Sequence, residues 1–164
     1  MDLPIELRFE NTKYNYLFTS ILCILLPSLI FISSFTFSKK LKVIGIISSL
    51  ILSIPCAVTF LFTSNSFKQI HTKGIDLSFE KIKEIELNDS KYRLYRTNGG
   101  ATTSFGLVLR KETLLIKGIN IVEVMFYKYK ASESSLTLIN EQAIELRIEP
   151  YQKNDKAEVI KLTI

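Results

Sequence analysis

The sequence predicts a membrane α-hairpin of two transmembrane helices followed by an all-β antiparallel head, a sandwich or barrel-like domain. Three observations predict it. Two charge-free apolar stretches occupy residues 14–38 and 43–67, three lysines fall in the short interval 39–42 between them, and the rest of the chain alternates apolar with polar residues. Each stretch exceeds the roughly 20 residues that a helix rising about 1.5 Å per residue needs to cross a hydrocarbon core about 30 Å thick. The chain has 164 residues, so a hairpin leaves space for one further domain, residues 68–164, with a core of its own.

Residues 1–13 form an N-terminal tail. In Ile5-Glu6-Leu7-Arg8-Phe9 apolar side chains alternate with charged ones, which fits an edge strand on the head or a short segment at the lipid headgroups. Asp2, Glu6 and Glu10 make a poor cationic leader and no small-x-small cleavage site follows the first apolar stretch, so that stretch is expected to be retained as a helix. Between the helices, Lys39, Lys40 and Lys42 form a tight basic turn. Short loops rich in Lys and Arg favour the cytoplasm, so the turn is expected inside and both ends of the hairpin outside.

Small residues at Gly45, Ser49, Ser53 and Ala57 recur every fourth position on the second helix, and small-xxx-small spacing lets helix backbones approach closely in lipid. Folding the hairpin back sets Ser34, Ile30, Leu26 and Leu22 opposite them, and it brings Cys23 and Cys56 to equal depth as apolar fillers. The same groove could serve a homo-oligomer. Pro27 and Pro55 each remove one helical hydrogen bond, a defect that membrane helices tolerate when neighbours cover it. No Asp, Glu, Lys, Arg or His lies in either stretch, which argues against a proton relay or ion path.

In the head, residues 75–79, 82–87, 92–96, 105–109, 119–129, 136–139, 144–148 and 160–164 alternate and are rich in Ile, Val, Phe and Tyr, the pattern of half-buried strands. Asn88-Asp89-Ser90, Asn98-Gly99-Gly100, Lys117-Gly118 and Asn154-Asp155 supply turn chemistry. Residues 141–146 could instead form a helical turn. Residues 121–127 are apolar on nearly both faces, Val122, Val124 and Phe126 on one and Ile121, Glu123, Met125 and Tyr127 on the other, so this strand is expected inside a sheet.

Candidate chemistry is sparse. The net charge of +5 divides into −1 before residue 14, +3 in the lysine turn and +3 after residue 63, where both signs mix; no basic run suits nucleic acid. His71 is the one imidazole, placed in an apparent linker just outside the membrane, and a multi-His metal site is excluded. Glu84 and Glu86 share a strand face and are expected to be solvated. Tyr127, Tyr129 and Tyr151 could form an aromatic contact patch. No nucleophile elbow, phosphate-binding loop or dinucleotide fingerprint occurs, and no cofactor is expected. The most distinctive segment is the loop Asn98, Gly99, Gly100, Thr102, Thr103 and Ser104, which could present backbone N–H groups to a polar ligand or partner or simply turn a hairpin.

The run from Gly99 through Gly-Ala-Thr-Thr-Ser-Phe to Gly106, followed by an apolar strand and Arg110-Lys111-Glu112, resembles a stretch of small uncharacterised bacterial envelope proteins, some of them lipoproteins. The resemblance covers about residues 95–130. It implies a bacterial, exported head and supplies no site residues, and the two-helix anchor departs from the lipoprotein form.

These readings converge on a bacterial inner-membrane protein, multi-pass in the lipid bilayer, whose outward head binds a protein partner in the envelope rather than catalysing a reaction. An immunity protein against a toxin is one version. A pleckstrin-like membrane protein with a cytoplasmic head is an alternative that expects a terminal helix where residues 158–164 alternate as a strand. An enzyme using His71 or the Gly-Gly loop is a second.

Overall fold

The computed structural model describes residues 5–98, 104–131, 133–152 and 155–163, and among them it has two long apolar helices and eight strands in two antiparallel sheets. The chain divides into two compact units, a helical unit of residues 11–75 and a β unit made of residues 1–10 together with 76–164.

In the helical unit, α1 (Thr12–Ser34) and α2 (Lys39–Lys73) are both long and apolar enough to cross a membrane. Asn11 caps α1 by accepting from the Lys13 backbone N–H. The reversal lies four residues earlier than expected: it occupies residues 35–38, and Lys39, Lys40 and Lys42 lie in the first turn of α2 rather than in a loop. That position sets three cations against the positive end of the helix dipole, and no acidic residue offsets them there. At its other end α2 runs past the apolar stretch to Lys73, where Gly74 at φ 70° closes it in the left-handed conformation. His71 is therefore in the last helical turn, stacked on Phe67 with ring centroids 6.0 Å apart, and not in a linker.

The helices meet along a seam of period 3.5 rather than along a ridge of period 4. Tyr16, Ser20, Cys23, Pro27, Ile30 and Ser34 turn inward on α1, and Gly45, Ser49, Leu52, Cys56, Phe60 and Thr63 on α2. Of the expected ridge, Gly45, Ser49 and Ser53 are at least partly covered but Ala57 is exposed; opposite it Ser34 is buried, Leu22 and Ile30 are partly covered, and Leu26 is 48% exposed. A row of every fourth residue drifts by about 40° per step, because a turn holds about 3.6 residues, so it leaves the seam within three steps. Alternating steps of three and four stay on it. Polar atoms bridge the seam: the Ser49 hydroxyl donates to the Pro27 carbonyl at 2.9 Å, and the Ser20 and Thr63 hydroxyls share a hydrogen bond of 2.7 Å. At the tight end, a Cβ on Gly45 would overlap the Ser34 hydroxyl and lie 3.0 Å from the Ser34 Cβ. Cys23 and Cys56 are free thiols facing one another across the seam.

In the β unit, β1 (Ile5–Phe9), β2 (Phe79–Leu87), β3 (Ser90–Thr97), β4 (Gly106–Ile116) and β5 (Ile119–Tyr129) form one sheet in the order β1-β5-β4-β3-β2. A second sheet holds β6 (Ser134–Asn140), β7 (Ala143–Ile148) and β8 (Glu158–Thr163) in sequence order. The tail is thus an edge strand, pairing Ile5 with Glu123 through Phe9 with Ile119. Asn88 and Asp89 both adopt positive φ in the two-residue β2–β3 turn, the conformation its hairpin twist requires. Residues 75–78 are not a strand: the Asp76 carboxylate accepts from the Ser78 and Phe79 backbone N–H groups and turns the chain before β2 begins. Residues 141–146 are not helical, since Glu141 and Gln142 form the β6–β7 turn and β7 follows at once.

The core lies between the sheets. Tyr92, Leu94, Leu107 and Leu109 meet Leu136, Ile144, Leu146 and Ile148, with Met125, Phe126, Ile160 and Leu162 packed around them. A bulge in β5 separates the pair Arg110 and Val124 from the pair Leu109 and Phe126, so Met125 is the extra residue. That bulge turns Phe126 toward the core, whereas Val122 and Val124 stay on the opposite face.

Candidate functional site

The face of the five-stranded sheet that looks away from the second sheet is built from charges. Register fixes it: Arg93 pairs with Arg110 on one side and Glu84 on the other, and Lys91 pairs with Glu112 and Glu86. These residues alternate with Tyr92, Leu94, Leu107 and Leu109, so the pattern that supplies the core also projects a row of ionic side chains from the other face.

Glu112 is its hub, on an inner strand and 7% exposed. Its carboxylate accepts from Arg93 Nη1 at 2.6 Å and from the Tyr95 hydroxyl at 2.9 Å, with Asn120 Nδ2 at 3.5 Å. Arg93 also donates from Nε to Glu84 at 2.8 Å, and Lys81 reaches the same Glu84 oxygen at 2.9 Å. The hydrogen bond from Lys81 leads in holding the Glu84 carboxyl below its ordinary value; burial opposes it, and Arg93 adds to it. Burial works against the charge on Arg93, but Glu112, Tyr95 and Glu84 outweigh it and raise its pKa. Burial, then the Glu112 charge, pushes the Tyr95 hydroxyl well above the usual phenol range, which keeps it a donor to Glu112. Glu84 is thus paired, where the sequence suggests a solvated side chain.

Arg110 differs from its neighbours. It is 8% exposed, and its buried Nε has no hydrogen-bond partner. The guanidinium lies over Phe79 at 4.6 Å and near the Tyr95 ring at 5.3 Å, so its flat faces are covered by aromatic surface. Burial, and then the nearby positive charge of Arg8, lowers its pKa, yet an arginine keeps its proton under any ordinary condition. An aromatic clamp of this kind leaves N–H groups at the rim of the guanidinium to be met by a planar anion such as a carboxylate.

A cleft of about 620 Å³ opens beside this network, with Glu10, Glu86, Lys91, Glu112 and Asn120 among its walls. Lys91 bridges its mouth, 3.3 Å from Glu86 and 3.9 Å from Glu10. Among the described residues no three His, Cys, Asp or Glu side chains converge as a metal site.

Of the loop singled out in the sequence, Asn98 and Ser104 are described and Gly99, Gly100, Thr102 and Thr103 lie outside the described residues. Asn98 N–H donates to the Ser78 carbonyl, and Ser104 N–H donates to the Tyr129 hydroxyl at 3.2 Å. That donation leads in lowering the Tyr129 pKa. Tyr127, Tyr129 and Tyr151 are all at least partly exposed. Sequence reasoning missed Arg110 and Glu112 as a site. The available signal was their placement two apart in Leu107-Val-Leu-Arg-Lys-Glu112, which puts two charges on one face of a strand whose other face carries Leu107 and Leu109. No family model, no curated protein and no solved structure matches this chain.

Proposed function

We propose that the protein is a multi-pass protein of a bacterial inner membrane whose β head faces outward and binds a partner protein of the envelope through the ionic face of its larger sheet, without catalysing a reaction. Two helices long and apolar enough to span support the membrane assignment. An even number of crossings returns the chain to one side, in keeping with a β unit assembled from residues on both flanks of the hairpin. Lys39, Lys40 and Lys42 oppose the dipole of α2 at a cost of about 0.3–1 kcal/mol each. Three lysines at that position fit a cytoplasmic turn beside anionic headgroups.

Arg110 carries the binding reading. A guanidinium buried against aromatic rings is a liability for folding, and it is explained if a carboxylate of the partner meets the N–H groups at its rim. Glu112, locked by three donors, acts as the support that holds Arg93 and Tyr95 in place around that position. The test is crosslinking and pull-down from native membranes with the wild type and Arg110→Met. The variant is expected to lose the partner while its head melts at the same temperature or higher, since a buried unpaired charge has been replaced by an apolar side chain. Equal recovery of the partner by both proteins would overturn the reading.

A further inference from the structure

The β4–β5 hairpin ends in an apolar tip. Leu114, Leu115 and Ile116 are 59%, 50% and 59% exposed, and Lys117 and Gly118 form the turn that follows. Three consecutive large aliphatic side chains in water are unusual at the end of a charged sheet, where polar residues would ordinarily close the turn. The tip is also locally shaped. A register shift between Leu114 and Ile116 makes Leu115 an extra residue, and such a bulge re-aims the side chains beside it.

The location of the tip in the chain gives it a partner. The Glu10 backbone N–H donates to the Gly118 carbonyl at 3.0 Å. A single residue, Asn11, separates Glu10 from Thr12, the first residue of α1. Consecutive Cα atoms are about 3.8 Å apart, so the turn is tethered by covalent geometry to the point at which the chain enters its first membrane-spanning helix.

From the tether and the exposed aliphatic run together, we infer that the β4–β5 tip inserts into the interfacial zone of the bilayer, with Leu114, Leu115 and Ile116 among the upper acyl chains and Lys117 at the phosphates. The occupant of this surface is lipid. A basic residue beside an aliphatic cluster is the composition that partitions to the headgroup boundary, about 5–10 Å into the leaflet. The consequence is a second attachment of the head to the membrane. The inference rests on the reading of the helices as spans.

The test uses the full chain in nanodiscs containing phosphatidylglycerol, with Cys23 and Cys56 replaced by Ala and one nitroxide introduced at a time. Leu115→Cys reports the tip, Ile51→Cys the middle of α2, and Leu138→Cys an exposed site of the smaller sheet; Ile116→Cys serves if Leu115→Cys fails to fold. The readout is accessibility to oxygen, which concentrates in lipid, against a water-soluble nickel chelate. The expected result is an oxygen-dominated ratio at Leu115 and Ile51 and a nickel-dominated ratio at Leu138. A nickel-dominated Leu115 beside an oxygen-dominated Ile51 would overturn the tip insertion alone. A nickel-dominated Ile51 would overturn the spanning reading and the insertion with it.

Discussion

In the head, Leu94, Leu107 and Leu109 are wholly buried and charges line the outer sheet face; in the hairpin, the buried residues are Ser20, Pro27, Ser34 and Ser49, while Leu50, Ile51 and Ile54 are 58%, 65% and 68% exposed. The two regions of one chain are turned inside out relative to each other. The difference is what water imposes on the head and what lipid would impose on a hairpin of two spans, the reading proposed above. Water drives leucine inward in the head, whereas lipid is as apolar as leucine and rewards only close backbone approach and hydrogen bonds between helices. The contrast can be broken or sharpened by matched substitutions.

The largest effect is expected in the head. Leu109→Ala should cost about 2–5 kcal/mol through lost burial and the cavity left behind. Leu50→Ala on the outer face of α2 should stay within about 0.5 kcal/mol of the wild type. Thermal unfolding of the full chain in detergent checks the first by the near-ultraviolet signal of the head tyrosines, and loss of helix on titration with a denaturing detergent checks the second. An equal cost at Leu50 would mean that this face packs against protein, in a homo-oligomer, rather than against lipid.

Next comes the seam. Gly45→Ala should weaken the hairpin by about 1–3 kcal/mol of overpacking, against a gain of up to about 1 kcal/mol in helix propensity. The clash wins because the Ser34 hydroxyl is held to the Ile30 carbonyl at 2.6 Å and has little freedom to move aside. Combining it with Ser34→Gly should restore much of the loss, measured by the same detergent titration; no rescue would place the strain elsewhere.

The smallest effect is electrostatic. The folded pKa of Glu84 is depressed, first by Lys81, with burial opposing and Arg93 assisting. Its contribution to stability is therefore present above the unfolded carboxylate value of about 4.3 and is lost as pH falls through the lower folded value. Glu84→Gln should lower the melting temperature modestly near neutrality and flatten the acid limb of its pH profile. An unchanged acid limb would show that the pair with Arg93 and Lys81 is not maintained in solution.

Much of the fold was legible. Run length alone located the hairpin, and the β-branched and aromatic run Ile119–Tyr129 located β5 to the residue. What escaped has physical causes. The fourth-residue ridge ignored that helix pairs follow a seam of mean period 3.5, which is why Cys23 and Cys56 lie on it and Ala57 does not. The alternation over residues 75–79 was overridden by a glycine helix cap and by the Asp76 side chain bonding its own backbone. The ionic face was the least legible part, because Glu84, Arg93, Arg110 and Glu112 come from three strands and only the register joins them. Arg110 in particular reads as an ordinary surface arginine until its neighbours Phe79 and Tyr95 are known.

The central claim is that residues 43–67 cross lipid, and a nitroxide scan of that stretch in nanodiscs tests it most directly. Oxygen accessibility should rise to a maximum near Ile51 and Ile54 and fall toward both ends, with the nickel chelate excluded at the centre and a superimposed helical period marking the seam at Ser49 and Cys56. Uniform access of the nickel chelate along the stretch would contradict a membrane-spanning hairpin.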